Sequence, residues 1–142
     1  PLGSSTTTRS SRDVQMADIN GDGKLDIVSS NYDKNLILNL GNGNGTFKTF
    51  TTINAGSGAK PYSIQVADLN RDGKLDIVTS LPSFGRFSIL LGNGDGKFKT
   101  ATFLASTLNN TNFVLTDINN DGKLDIVTEI GNGDTTTSQV GV

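Results

Sequence analysis

The sequence predicts an all-β chain built of repeated four-stranded antiparallel blades, and three observations support this. One eleven-residue phrase occurs three times: DINGDGKLDIV over 18–28, DLNRDGKLDIV over 68–78 and DINNDGKLDIV over 117–127. The copies start 50 and 49 residues apart, a period that marks propellers, solenoids and arrays. Composition agrees, since 17 Gly, 3 Pro, no Trp and abundant Asn and Thr favour strands joined by tight turns. No apolar period of 3.6 residues is sustained, so almost no helix is expected.

Each unit reads as four short strands. The first covers 13–17, 63–67 and 112–116, and the second follows the repeated phrase at 25–28 and its copies. The third covers 36–40 and 87–91, and the fourth 47–53 and 98–104. Between third and fourth stands Gly-Asn-Gly-Asn/Asp-Gly, whose Asn-Gly and Asp-Gly steps accept positive φ and close tight hairpins. Several strands are apolar at nearly every position, as packing on both faces demands. A four-stranded unit of this length fits a propeller blade. A β-solenoid or a tandem of separate small sheets is the alternative, although solenoid coils are usually shorter.

The third unit reads as incomplete. Residues 138–142 align with 87–91, which places the end of the sequence in a third strand. The organisation expected is blade 1 over 5–62, blade 2 over 63–111 and blade 3 over 112–142, with 1–4 (Pro-Leu-Gly-Ser) resembling a tag-cleavage scar. About three blades make a partial ring, or a ring completed by self-association of a homodimer through unpaired blade edges.

Several functions are excluded by what is missing. The chain has no Cys and no His, which removes disulfides, thiolate zinc sites and Ser-His or Cys-His pairs. Net charge is -2, so no basic face for nucleic acid is expected, and no apolar run is long enough for membrane insertion. Gly41-Asn42-Gly43-Asn44-Gly45 is no phosphate loop, because no Gly-Lys-Ser/Thr follows and a strand replaces the helix. Nine of the 14 acidic residues lie in the three repeated loops. Asp13, Asp33, Asp95, Glu129 and Asp134 are left scattered, so no enzyme is expected.

The clustered acids point to a cation. Numbered from Asp18, each loop has Asp at 1, 5 and 9, Asn at 3, Gly at 6 and Lys at 7. Odd positions converge if the backbone coils around a point, the Gly permits the bend, and the carbonyl of position 7 adds a neutral oxygen. All donors are hard oxygens, which suits Ca²⁺ better than Mg²⁺, and suits zinc or copper poorly. An EF-hand needs an acid at 12, where Ser29, Thr79 and Thr128 stand. A metal-free Asx-rich turn is the plainer reading of one copy. Three copies with every acid kept argue against it, since crowded carboxylates repel without a cation. Position 4 (Gly21, Arg71, Asn120) varies, as expected for an outward residue.

Asp-x-Asn-x-Asp-Gly-x-x-Asp before an apolar strand, with Leu-Gly-Asn-Gly-x-Gly-x-Phe downstream, resembles FG-GAP/VCBS repeats, the blades of integrin α-chain-like β-propellers. The resemblance covers about residues 13–142. It implies three Ca²⁺ sites in loops joining the first two strands of each blade. The implied ligands are Asp18, Asn20, Asp22, the Lys24 carbonyl and Asp26 in the first loop. They are Asp68, Asn70, Asp72, the Lys74 carbonyl and Asp76 in the second, and Asp117, Asn119, Asp121, the Lys123 carbonyl and Asp125 in the third. The implied function is a calcium-stabilised module for extracellular adhesion or protein recognition. A carbohydrate-binding propeller lectin is the alternative, and a non-catalytic fragment of a larger propeller enzyme comes after it. Sugar sites usually stack on Trp or Tyr, and only Tyr32 and Tyr62 are present. The sequons at 44–46 and 109–111 are compatible with secretion. The seven Phe residues are expected in the core.

Overall fold

Each repeat folds into its own antiparallel sheet. A computed structural model describes residues 11–31, 35–56, 58, 60–106, 112–130 and 134–139. Residues 1–4, Tyr32, the 109–111 triplet, 131–133 and 140–142 lie outside them. The first sheet runs β1 (Ser11–Ala17), β2 (Asp26–Asn31), β3 (Leu36–Asn39) and β4 (Thr51–Ile53) in chain order. The second runs β5 (Ile64–Ala67), β6 (Asp76–Leu81), β7 (Arg86–Leu90) and β8 (Thr102–Ala105). The third holds β9 (Phe113–Thr116), β10 (Asp125–Ile130) and β11 (Asp134–Gln139), with β10 central. These are propeller blades, and β5 lies beside β1 on one side and β9 on the other. One 3₁₀ turn, Pro82–Phe84, is the helical element among the described residues, closed by Gly85 in the left-handed region.

Register explains why the repeated phrase sits where it does. Ala17 faces Asp26, Ala67 faces Asp76 and Thr116 faces Asp125, so each loop leaves and re-enters its sheet at the same pair. Two apolar cores fill the seams. Ile19, Val28, Leu36, Leu38 and Ile53 of the first sheet meet Ile64, Ile77 and Leu90 of the second. Val78, Phe87 and Ile89 then meet Phe113 and Ile126 of the third, with the Phe87 and Phe113 rings edge to face at 5.0 Å. β6, between both seams, is buried at every position.

Three expectations change. The fourth strands start later than 47 and 98, because Phe47 and Phe98 form isolated bridges to Gly41 and Gly92 instead of joining β4 and β8. The β10–β11 hairpin pairs Ile130 with Asp134, so Ser138 faces Ile126 where Leu90 faces Ile77. Alignment with 87–91 had put Gly141 at that place, three residues later; turn geometry sets register, and alignment does not see it. Phe50, Phe84 and Phe103 are exposed instead of core. Phe84 and Phe103 instead flank the Arg86 guanidinium, at 4.9 and 3.9 Å. Position 4 of the loops is exposed in all three, as expected of an outward residue, but its variation is bounded by its backbone, as shown below.

Candidate metal-binding loops

The loop between the first two strands of each blade is held by its own acidic side chains. Asp18 accepts the N–H of Asp22 at 3.0 Å through Oδ1 and that of Gly23 at 2.7 Å through Oδ2. Asn20 Oδ1 also accepts the Asp22 N–H, at 2.9 Å, and Asp22 Oδ1 accepts that of Lys24 at 3.0 Å. The second loop repeats every bond with Asp68, Asn70 and Asp72. The third does so with Asp117, Asn119 and Asp121. Asp and Asn are favoured here because a short side-chain oxygen can reach a backbone N–H two to five residues on.

Coiling this tightly needs two left-handed residues per loop. Gly23, Gly73 and Gly122 at position 6 have φ of 80°, 78° and 81°. Position 4 is left-handed too, with Gly21 at 72°, Arg71 at 61° and Asn120 at 59°. Its variation in sequence hides one backbone demand, met easily by Gly, tolerably by Asn and with strain by Arg.

The ninth position is buried. Asp26 accepts the Ile19 N–H at 3.0 Å through Oδ2 and the Gly41 N–H at 2.8 Å through Oδ1. Asp76 does the same with Leu69 at 2.9 Å and Gly92 at 2.7 Å. This carboxylate therefore bridges the loop to the hairpin between the third and fourth strands. Gly41 and Gly92 are required there, because a Cβ would run into the carbonyl oxygens of Leu25 and Leu75. Asp125 accepts the Ile118 N–H at 3.1 Å, but its buried Oδ1 has no hydrogen-bond partner among the described residues. The two glycines were not singled out from the sequence. Their signal is a Leu-Gly-Asn-Gly phrase at a near-constant distance after the ninth-position Asp. Lys24 and Lys74 also lay their stems against Gly43 and Gly94 of the hairpins.

Electrostatics divide the acids. Desolvation pushes the Asp22 and Asp72 carboxyls up. The Lys24 or Lys74 N–H, the neighbouring Asn amide and the lysine charge outweigh it and hold both below the ordinary Asp value. Lys24 Nζ lies 3.5 Å from Asp22, and Lys74 Nζ 3.7 Å from Asp72. Burial pushes Asp76 up, against the Gly92 and Leu69 N–H bonds, and repulsion from Asp72 and Asp68 adds to the rise.

Among the described residues, no three acidic side chains stand close enough to cage an ion. The donors are nevertheless all oxygens, and a carboxylate that accepts one N–H per oxygen keeps further lone pairs. The donor chemistry of each loop fits a hard divalent cation, with the ninth-position Asp already employed as a bridge.

A family model described as FG-GAP-like repeat matches residues 18–79 and again 80–128. The chain belongs to the FG-GAP-like repeat family. Both FG-GAP matches cross from one blade into the next, so the family's repeat is offset from the sheets. Among solved structures, an Agrocybe aegerita lectin described as specifically recognising non-reducing terminal N-acetylglucosamine is similar, with a TM-score of 0.59 and 23% identity. The match covers 89% of this chain and 37% of that one, so the chain spans well under half the lectin's length. At that identity the likeness bears on the propeller fold alone. A search of curated proteins finds no match.

Proposed function

We propose that this chain is a recognition module of the FG-GAP propeller type, with Ca²⁺ bound at each of its three Asp/Asn loops. The reading rests on one observation: the same oxygen-donor arrangement recurs at 18–26, 68–76 and 117–125, bond for bond through positions 1 to 7. Asp18, Asn20, Asp22 and the Lys24 carbonyl would hold the first ion, with Asp26 at its buried side. Asp68, Asn70, Asp72, Lys74 and Asp76 serve the second, and Asp117, Asn119, Asp121, Lys123 and Asp125 the third. A bound ion supplies positive charge that offsets carboxylate repulsion. The loop's N–H bonds pre-shape the donors, and the ninth-position Asp carries the effect to the hairpin. No catalytic role is assigned. Affinities of about 10⁻⁴–10⁻³ M would suit an extracellular adhesion or recognition setting.

Thermal melting in calcium and in EDTA tests this. Ligand binding to the folded state adds about 2.7 kcal/mol per site at 100 times Kd, so calcium is expected to raise the melting temperature and EDTA to lower it. Equal melts, with no calorimetric heat on adding calcium, would sink the reading.

A carbohydrate reading has one feature behind it. A cleft of about 580 Å³ runs between β4 of the first blade and the hairpin of the second, lined by Thr52, Asn54, Lys97, Phe98 and Phe103. It pairs hydroxyl and amide groups with aromatic faces, and the similar Agrocybe lectin recognises a sugar. Tyr62 is less suited, since it does not line this cleft. Titration with N-acetylglucosamine, against a Phe103→Ala variant, separates this reading from a purely protein-directed one.

A further inference from the structure

We infer that the cleft between the first two blades takes an extended, acidic segment of a partner protein, laid along the free edge of β4 with its carboxylates on Lys97 and Lys99. This site deepens the protein-directed side of the recognition reading and rests on it.

The walls of the cleft are largely main chain. One wall is Thr51 through Asn54; the other is Gly96 through Ala101, with Phe103 beyond. Successive side chains of a strand point to opposite faces, so a wall of consecutive residues is a strand edge and not a sheet face. β4 is the last strand of its sheet, with β3 on one side only. Among the described residues, no backbone hydrogen bond outside the ladders uses residues 51–54. Such an edge is a template for an added strand. On the facing wall the ladder is broken between the Phe98 bridge and the start of β8 at Thr102, so residues 100 and 101 also lie outside any strand pairing. Both walls therefore present peptide groups, which suit the regular N–H and C=O spacing of another peptide. Residues 51–54 span about 13 Å at roughly 3.3 Å each, room for a four-residue strand.

Charge selects among peptides. The chain has 14 acids and a net charge of -2, yet none of the described residues lining the cleft is acidic. Lys97 and Lys99 line it. Arg86 stands behind Phe103, its guanidinium 3.9 Å from the ring, and pairs with no carboxylate among the described residues. Asp95 reaches Lys97 at 3.6 Å, but both are exposed, and such a pair is worth little. Asp72 feels the Lys99 charge from the second loop, where Lys74 already reaches it at 3.7 Å. Two residues separate Lys97 from Lys99, the spacing at which alternate side chains of a strand recur, about 6.6 Å. Acidic residues at every second position of the segment match it. Phe98 and Phe103 offer apolar surface to the residues between.

Fluorescence polarisation on the full chain, with dye-labelled, end-capped hexapeptides of alternating Glu-Val, Gln-Val or Lys-Val, tests this. The Glu-Val peptide is expected to bind about tenfold tighter than the Gln-Val peptide, the effect of two exposed charge pairs, and the Lys-Val peptide not at all. Lys97→Gln combined with Lys99→Gln changes two exposed side chains and is expected to erase that preference. Salt at about 1 M, where screening falls to about 3 Å, is expected to do the same without a variant. Amide shifts on adding the Glu-Val peptide are expected at 51–54 and 99–103. Strand addition uses alternate N–H groups, so of two Glu-Val peptides, N-methylated on every Glu or on every Val, at least one is expected to lose binding. Equal binding of the three parent peptides overturns the inference, as does a Glu preference that survives the lysine variant or high salt. Shifts confined to the three Asp/Asn loops overturn it too, since the carboxylates would then be meeting the loops and not the cleft. Two N-methylated peptides that bind like their parent overturn the strand addition. N-acetylglucosamine moving the cleft amides where the peptides do not overturns the acidic-peptide assignment and leaves a recognition module of the carbohydrate type, so the two failures are told apart.

Discussion

The backbone N–H of Gly92 donates to the buried carboxylate of Asp76 across 2.7 Å, joining two hairpins of one blade that are 16 residues apart in sequence. The other oxygen of the same carboxylate takes the Leu69 N–H at 2.9 Å. Removing the side chain would strand both donors. Asp76→Ala is expected to cost about 2–6 kcal/mol, from two unsatisfied buried groups at roughly 1–3 each. Urea unfolding in EDTA measures this free of any metal effect. A loss below about 1 kcal/mol would show that the bridge carries little.

The partner in that bond is equally constrained. A methyl group at position 92 would press on the Leu75 carbonyl oxygen, which is backbone and cannot swing away. Gly92→Ala is expected to lower stability by about 1–3 kcal/mol, the usual cost of overpacking. The urea midpoint should fall at constant slope. An unchanged midpoint would mean that the hairpin shifts freely.

Arg71 holds a left-handed backbone at φ 61° where Asn120 and Gly21 hold the equivalent places. Its strain is about 1–2 kcal/mol for an ordinary residue and less for Asn. Arg71→Asn should therefore raise stability by about 0.5–1 kcal/mol. A fall in melting temperature would mean that the arginine side chain contributes more than its backbone loses.

The second seam hinges on aromatic packing. Phe113 is buried against Phe87, and Phe113→Ala is expected to cost about 3–5 kcal/mol. Phe50 is exposed, and Phe50→Ala should stay within about 0.5 kcal/mol of the parent. Similar losses for the two would contradict the assigned seam.

Much of the fold could be read in advance because its signals are local. The repeated phrase, the Asn-Gly and Asp-Gly turns and the apolar strands each lie within a few residues. What could not be read depends on distance or conformation. Gly41 and Gly92 matter through partners on another hairpin. Gly21, Arg71 and Asn120 share a φ but no side-chain chemistry, so comparing them as letters suggested freedom. Phe47 and Phe98 looked like strand starts because β propensity does not reveal where a ladder is interrupted. The candidate loops were legible as oxygen clusters, yet the buried bridging of Asp26 and Asp76 was not, since nothing in DGKLD says which side of the chain the last carboxylate takes.

Asp13 in β1 accepts the Ile64 N–H at 2.7 Å and the Ser63 hydroxyl at 3.2 Å, so one carboxylate pins the innermost strand of the second blade to the first. Ser63 and Asn112 stand at the corresponding places of the other two blades, so the second seam lacks the equivalent of the Asp13 carboxylate. The two seams are therefore unequal as kinetic barriers. Solvent deuterium can reach the Ile64 amide only when blades 1 and 2 part, which makes that single proton a clock for their separation. The Phe113 seam, closed by ring packing, has Ser63 in place of that carboxylate and should breathe on a timescale of its own.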